Sequence, residues 1–134
     1  MLMTKKNKSK PRILIVTPEV TYLPRGMGVE AYSMTAKAGG MADVSASLIS
    51  ALFDQGADVH VALPNYRAMF DNHLDPILRK QNQMIRSRMP EDRIHLAEDR
   101  AFFYLHNVYS SYGTENMRIS LAFQREVMNH IVPW

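Results

Sequence analysis

The sequence predicts an open, doubly wound α/β fold built on a parallel sheet. Two short apolar runs without polar alternation, residues 13–17 and 59–63, are typical of strands that are covered on both faces. An amphipathic helical segment separates them, so the three elements form a β-α-β unit whose strands pair in parallel. The chain has 134 residues and no cysteine, which fits one domain with a single core and excludes a disulfide scaffold.

The charge distribution argues against a nucleic-acid partner. The formal net charge is +3, but the amino-terminal end carries five of the 16 basic residues: Lys5, Lys6, Lys8, Lys10 and Arg12. The rest of the chain contains 11 basic and 13 acidic residues, so the body of the domain has no net basic character. We expect residues 1–11 to be a disordered basic tail and residues 12–134 to form the domain. No apolar stretch is long enough to span a bilayer, which predicts a cytoplasmic protein without a membrane partner.

Each element of the β-α-β unit has its own signal. The first strand is β-branched and ends at Pro18, and the second ends at Pro64. The helix is predicted over residues 41–55, with a left-handed carboxyl-terminal cap at Gly56. Its core-facing stripe is predicted from apolar residues at helical spacing: Met41, Val44, Leu48 and Leu52, with Ile49 and Phe53 beside them.

The elements that follow are less regular. Residues 101–105 are rich in aromatic side chains and predict a third strand, and residues 71–83 are a weaker helix candidate. Residues 93–96 are predicted to pair with residues 83–88. A last helix is predicted over residues 116–131 from apolar positions three and four apart: Met117, Leu121, Val127, Met128 and Ile131.

The turn into the first helix carries the candidate chemistry. Residues 37–44 read Lys-Ala-Gly-Gly-Met-Ala-Asp-Val and follow the carboxyl end of a strand, where open α/β sheets bind ligands. Gly39 and Gly40 allow a ligand to approach the backbone, amides at a helix start favour an anion, and Lys37 adds a positive charge. These parts suit a phosphate or diphosphate, although a pair of glycines before a helix also forms a plain tight turn. Neither standard phosphate-binding glycine motif is present.

Other polar residues favour structural roles. None of the five histidines has a partner at metal-ligand spacing: His60, His73, His95, His106 and His130. Three tyrosines follow the predicted third strand, Tyr104, Tyr109 and Tyr112, and loop packing and sugar stacking both remain open for them.

Three motifs in order resemble a known family. The first strand ends in Thr17-Pro18-Glu19, the loop reads Lys-Ala-Gly-Gly-Met-Ala-Asp-Val, and the second strand ends in Leu-Pro-Asn-Tyr at residues 63–66. This order resembles the amino-terminal domain of bacterial glycogen synthases and plant starch synthases, with their Ser/Thr-x-Glu, Lys-x-Gly-Gly-Leu-Ala-Asp-Val and Leu-Pro-x-Tyr patterns. The match is specific over residues 12–66 and fainter beyond them.

The resemblance implies a fold, a reaction and a site. It implies a Rossmann-like domain, the amino-terminal half of a GT-B glycosyltransferase that transfers glucose from ADP-glucose to the non-reducing end of an α-1,4-glucan with retention, without a metal or other cofactor. It makes Lys37, Gly39 and Gly40 contacts to the sugar nucleotide near its diphosphate. Asp43 becomes a further nucleotide contact, and Glu19 faces the sugar or glucan side of the cleft.

Two departures qualify the resemblance. The segment between Glu19 and Lys37 is longer than in the family, so Val20–Ala36 contains an insertion beside the cleft. The family's His-x-x-Asp-Trp region and its second nucleotide-binding domain have no counterpart here. We therefore expect these residues to be an amino-terminal fragment that does not catalyse transfer alone. The alternatives are a stand-alone glucan- or phosphate-binding module and an unrelated doubly wound phosphate-binding regulator.

Overall fold

The computed structural model describes residues 11–28, 34–70, 77, 81 and 93–133. Within these residues, three parallel strands form one sheet in the order β1-β2-β3: β1 spans Arg12–Val16, β2 spans Asp58–Pro64 and β3 spans Ile94–Ala97. The register pairs Ile13 with Val59 in the first ladder and Val61 with Ile94 in the second. The predicted α/β class and the first two strands are confirmed. The predicted basic tail lies outside the described residues apart from Pro11.

The strand predicted over residues 101–105 is wrong. Residues Arg100–Phe103 form a short helix, α3, and β3 lies just before it. The Asp99 side chain accepts a hydrogen bond from the amide of Ala101 at 2.8 Å and so caps this helix. The turn buries Phe102 completely, with its ring edge-on to those of Tyr66 and Phe123. Capping and aromatic packing therefore override the strand preference of this aromatic run.

Two further predictions concern residues that are mostly outside the described part of the chain. Strand β3 confirms the strand predicted over residues 93–96, and it pairs in parallel with β2. Its predicted pairing with residues 83–88 involves residues outside the description. The helix predicted over residues 71–83 is described only at Ile77 and Gln81, and both are helical. It is preceded by the short helix α2, Arg67–Phe70, which buries Phe70 against the ring of Tyr66.

Helix α1, Gly40–Asp54, confirms the predicted helix and its cap. Gly56 adopts a φ of 77°. Its amide donates to the carbonyl of Phe53, and the amide of Ala57 donates to the carbonyl of Leu52, each at 3.0 Å. This pair of bonds is a Schellman motif, which requires a left-handed residue at the glycine position.

The buried face of α1 differs from the predicted stripe. The fully covered residues are Ala42, Ala46 and Ile49, and the outward residues are Met41, Val44 and Leu48, which are 53%, 68% and 48% exposed. Two alanines let the helix backbone approach the sheet closely. The larger side chains are excluded from that narrow contact and face outward.

The last helix covers the other face of the sheet. Helix α4 spans Gly113–Glu126 and continues as a wider π-helical turn over Val127–Ile131. It buries Ile119, Ala122, Phe123 and Val127, whereas the predicted stripe residues Met117, Leu121 and Met128 are exposed. Its final turn closes a small cavity over Leu14, His60 and His95. Because side chains alternate along a strand, the opposite face is left to α1. The domain is therefore doubly wound.

Two histidines of the sheet, His60 and His95, lie next to each other. His60 Nδ1 lies 2.8 Å from His95 Nε2, and His60 Nε2 lies 3.0 Å from the Asp58 carboxylate. Within the described residues, no group of three or more metal-ligating side chains is assembled, and no helix is long and apolar enough to cross a membrane.

The cap of α1 yields a prediction. Replacing Gly56 with alanine places a Cβ on a residue with positive φ, so we expect the free energy of unfolding to fall by about 1 kcal/mol. Urea denaturation of both proteins measures the change. Gly113→Ala is the matched control, because an added Cβ there meets no atom within 4 Å. Equal losses in the two variants would contradict the assignment.

Candidate functional site

The candidate site is the turn that links the carboxyl end of β1 to helix α1. An isolated antiparallel bridge joins Val20 to Ala36 through two backbone hydrogen bonds of 2.9 Å. This bridge closes the long connection at its base and brings Lys37 back beside Glu19. The diglycine loop, residues 37–40, therefore begins next to the strand end, although it lies far along the chain.

Glu19 lies beneath the diglycine loop and is only 2% exposed. Its Oε2 accepts a hydrogen bond from the amide of Ala38 at 2.9 Å, and its Oε1 accepts one from the amide of Ala42 at 3.1 Å. Gly39, at the cap position of α1, has no side chain to satisfy the first amides of the helix. The Glu19 carboxylate supplies a side-chain cap to one of them, the amide of Ala42, from a distant part of the sequence.

Gly39 and Gly40 are exposed. A Cβ added to either would meet no atom within 4 Å, and the φ of Gly39, −165°, is extended backbone that any residue adopts. Neither crowding nor backbone strain among the described residues therefore requires glycine here. The amides of Gly39, Gly40 and Met41 have no hydrogen-bond acceptor among the described residues. The loop thus presents open backbone donors to an external ligand.

Lys37 is held by an acidic partner on α1. Its Nζ lies 2.9 Å and 3.1 Å from the two carboxylate oxygens of Asp43, and the Thr21 hydroxyl donates to the same carboxylate at 2.6 Å. The hydrogen bonds from Thr21 and from Lys37 hold the pKa of Asp43 below its ordinary value. Both charged side chains are about half exposed, so a ligand can reach the ammonium group.

The long segment Val20–Ala36 is anchored in the core. Leu23, Met27 and Met34 are each 4% exposed or less, and the Met27 carbonyl accepts a hydrogen bond from the amide of Arg93 at 2.9 Å. Residues 29–33 lie outside the description. The segment supplies Thr21 to the site, a contact that the sequence analysis did not predict. The position of Thr21, two residues after Glu19, is the sequence signal that could have indicated it.

A cleft of about 700 Å³ opens beside the strand ends. Val16, Pro18, Pro64 and Tyr66 line one side, and α4 lines the other. The Tyr66 hydroxyl donates to the carbonyl of Pro18 at 2.6 Å, which ties the ends of β1 and β2 together. Burial, Tyr109 and Glu19 raise the pKa of Tyr66 well above its ordinary value. The Leu-Pro-x-Tyr motif contained this residue, but its role was not predicted.

The three tyrosines considered for sugar stacking are separated. Tyr109 lines the cleft, where burial and the nearby Glu19 carboxylate raise its pKa. Tyr104 and Tyr112 are 73% and 72% exposed and do not line it. Of the three, Tyr109 alone lies beside the candidate site.

The structure brings the five predicted site residues into one region. Lys37 and Asp43 are paired, Gly39 and Gly40 form the exposed loop between them, and Glu19 supports that loop from below. Contact of these residues with a substrate stays a prediction. The arrangement offers backbone donors and one ammonium group to an anion.

Comparison with known proteins gives two matches. The profile of the family described as the starch synthase catalytic domain matches residues 12–133. A curated glycogen synthase from Moorella thermoacetica is 31% identical over 137 residues, which cover 94% of this chain and 25% of that protein. The chain thus spans 25% of the length of the curated relative that it matches. No solved structure matches the chain.

The hydrogen bonds around Asp43 yield a pH prediction. A carboxyl whose pKa is depressed by folding stabilises the folded state at neutral pH, and this contribution is lost as the pH falls through the folded pKa. Thr21→Val removes the stronger of the two influences, so we expect the pKa of Asp43 to rise toward 3.8. Carboxyl ¹³C NMR titration measures it. Thr35→Val, at an exposed threonine near the other end of the segment, is the control, and equal shifts in both variants would refute the assignment.

Proposed function

The chain belongs to the starch synthase catalytic domain family, and from this membership and the geometry of the loop we infer that it forms the nucleotide-diphosphate side of a glucosyltransferase site. Proteins of this family are GT-B glycosyltransferases. We propose that the intact enzyme transfers glucose from ADP-glucose to the non-reducing end of an α-1,4-glucan with retention of configuration. The three-stranded parallel sheet with helices on both faces fits one Rossmann-like unit of such an enzyme.

The observation that carries the proposal is the exposed diglycine loop between Lys37 and α1. In glucosyl transfer from a nucleotide sugar, the bond between the sugar and the diphosphate breaks and negative charge develops on the leaving diphosphate. The amides of Gly39 and Gly40, which have no acceptor among the described residues, can stabilise that charge as it develops together with the Lys37 ammonium group. Such stabilisation raises the rate only where it is stronger in the transition state than in the bound substrate.

Asp43 takes two roles in this proposal. Without a ligand it is the partner of Lys37, at 2.9 Å. When a diphosphate binds Lys37, the carboxylate is released toward the same ligand, where it can accept a hydrogen bond from a hydroxyl group of the nucleotide. This step is a side-chain rotation of a half-exposed residue, and it also breaks the hydrogen bond that the Thr21 hydroxyl donates to Asp43.

The complete reaction is proposed for an enzyme longer than these residues. The resemblance places most catalytic groups in the His-x-x-Asp-Trp region and in a second nucleotide-binding domain. We propose that residues 1–134 alone bind the diphosphate without transferring glucose. In this proposal the second domain recognises the base of the donor nucleotide.

Lys37→Ala tests the proposal in two ways. In the intact enzyme we expect turnover with ADP-glucose to fall by about one to three orders of magnitude, the scale for loss of one charge stabiliser. In residues 1–134 we expect inorganic pyrophosphate to bind about tenfold more weakly, because one charged hydrogen bond is lost. NMR titration of the Gly39 and Gly40 amides measures the second effect.

Arg118→Ala is the matched control, because it removes the same charge from an exposed position on α4. We expect it to leave both readouts near wild type. Unchanged transfer and unchanged pyrophosphate binding in Lys37→Ala would contradict the proposal. Amide shifts with maltooligosaccharide but none with pyrophosphate would instead favour a glucan-binding module.

A further inference from the structure

We propose that Glu19 is a positioning residue that holds the diglycine loop in its anion-binding shape, and does not contact the sugar. The inference rests on the proposed function of that loop. It differs from the role that the family resemblance implies for Glu19, which is a place on the sugar or glucan side of the cleft. The two roles predict different responses to ligands with and without a sugar.

The geometry of the carboxylate supports a positioning role. Its two oxygens bind the amides of Ala38 and Ala42, which flank the segment from Gly39 to Met41. One rigid group therefore holds the backbone on both sides of this segment. The three amides within the segment have no acceptor among the described residues. A carboxylate is suited to this task because it accepts hydrogen bonds through both oxygens and donates none when ionised.

The burial of Glu19 argues against contact with a substrate. The residue is 2% exposed, and both of its oxygens already have partners. A sugar hydroxyl can reach it only if the loop moves aside. That movement would break the hydrogen bonds from the amides of Ala38 and Ala42, so a sugar contact at Glu19 is incompatible with the loop shape described here.

The backbone of Glu19 is itself held in place. The Thr17 hydroxyl donates to the Glu19 carbonyl at 2.9 Å and accepts from the Glu19 amide at 3.4 Å. The same hydroxyl lies 3.2 Å from the Ser45 hydroxyl on α1. The carboxylate is thus fixed to the end of β1 and to the helix that it caps. Such support is what a positioning residue requires.

The negative charge of Glu19 limits how much the dipole of α1 can contribute to anion binding at the loop. A carboxylate at a helix start interacts favourably with the positive end of the helix dipole. Part of that positive potential is therefore neutralised before a ligand binds. A diphosphate bound at the loop is stabilised mainly by the backbone amides and Lys37, and less by the helix dipole. We therefore expect Glu19 to act through geometry, so that its removal weakens anion binding even though a negative charge is lost.

The experiment compares two ligands on residues 1–134, inorganic pyrophosphate and ADP-glucose. If Glu19 positions the loop, Glu19→Ala weakens both by the same factor, roughly tenfold for two lost hydrogen bonds. If Glu19 contacts the sugar, ADP-glucose binding weakens and pyrophosphate binding is unchanged, which overturns the proposal. Glu98→Gln is the control, because it removes a carboxylate charge at the same sheet edge, where Glu98 binds Asn65 and Arg67.

A second variant and a second readout guard against loss of folding. Glu19→Gln keeps the size of the side chain and one acceptor, and we expect it to weaken both ligands by an intermediate factor. Hydrogen exchange at the Ala38 and Ala42 amides should accelerate in this variant while exchange in β2 stays slow. Unchanged exchange at these two amides would overturn the positioning role, whether or not either ligand binds.

The outcomes separate this inference from the proposed function. If Lys37→Ala leaves pyrophosphate binding unchanged, the proposed function fails, and the exchange rates still decide whether Glu19 shapes the loop. If Lys37→Ala weakens binding and Glu19→Gln weakens neither ligand, only the positioning role fails.

Discussion

The pair of hydrogen bonds from the Glu19 carboxylate to the amides of Ala38 and Ala42 is the constraint on which the site depends. It joins the end of β1 to the start of α1 across a long connecting segment. Without it, the first turn of α1 would have no side-chain cap, because Gly39 carries no side chain that could accept these bonds. The cap, the loop shape and the entry into the helix are therefore one structural feature.

Both positive groups of the site are paired with a carboxylate. Lys37 is paired with Asp43, and the start of α1 is paired with Glu19. Both positive features of the proposed diphosphate site are thus partly neutralised before a ligand arrives. The two pairs differ in accessibility, because the lysine pair is about half exposed and the glutamate is buried. An arriving anion can exchange partners with Lys37, whereas Glu19 stays with the backbone.

The long segment Val20–Ala36 is part of this arrangement. Its buried side chains, Leu23, Met27 and Met34, pack into the same core as the sheet, and Thr21 reaches the carboxylate of Asp43. The bridge between Val20 and Ala36 joins the two ends of the segment, so the diglycine loop begins directly after it. A connection of this length is tolerated because each added residue raises the entropic cost of closing it only slightly, and burial of the two methionines and the leucine offsets that cost.

The sequence alone determined the β-α-β unit, the cap at Gly56, the diglycine loop and the family, because these features are local patterns or contiguous motifs. Tertiary packing decided the rest. Two alanines in α1 allow a close approach to the sheet and turn Met41 and Val44 outward, and the Asp99 cap makes a helix of the aromatic run after β3. The role of Glu19 was beyond the sequence for the same reason. Its partners lie 19 and 23 residues away, and only the folded chain brings a carboxylate within hydrogen-bonding distance of their amides.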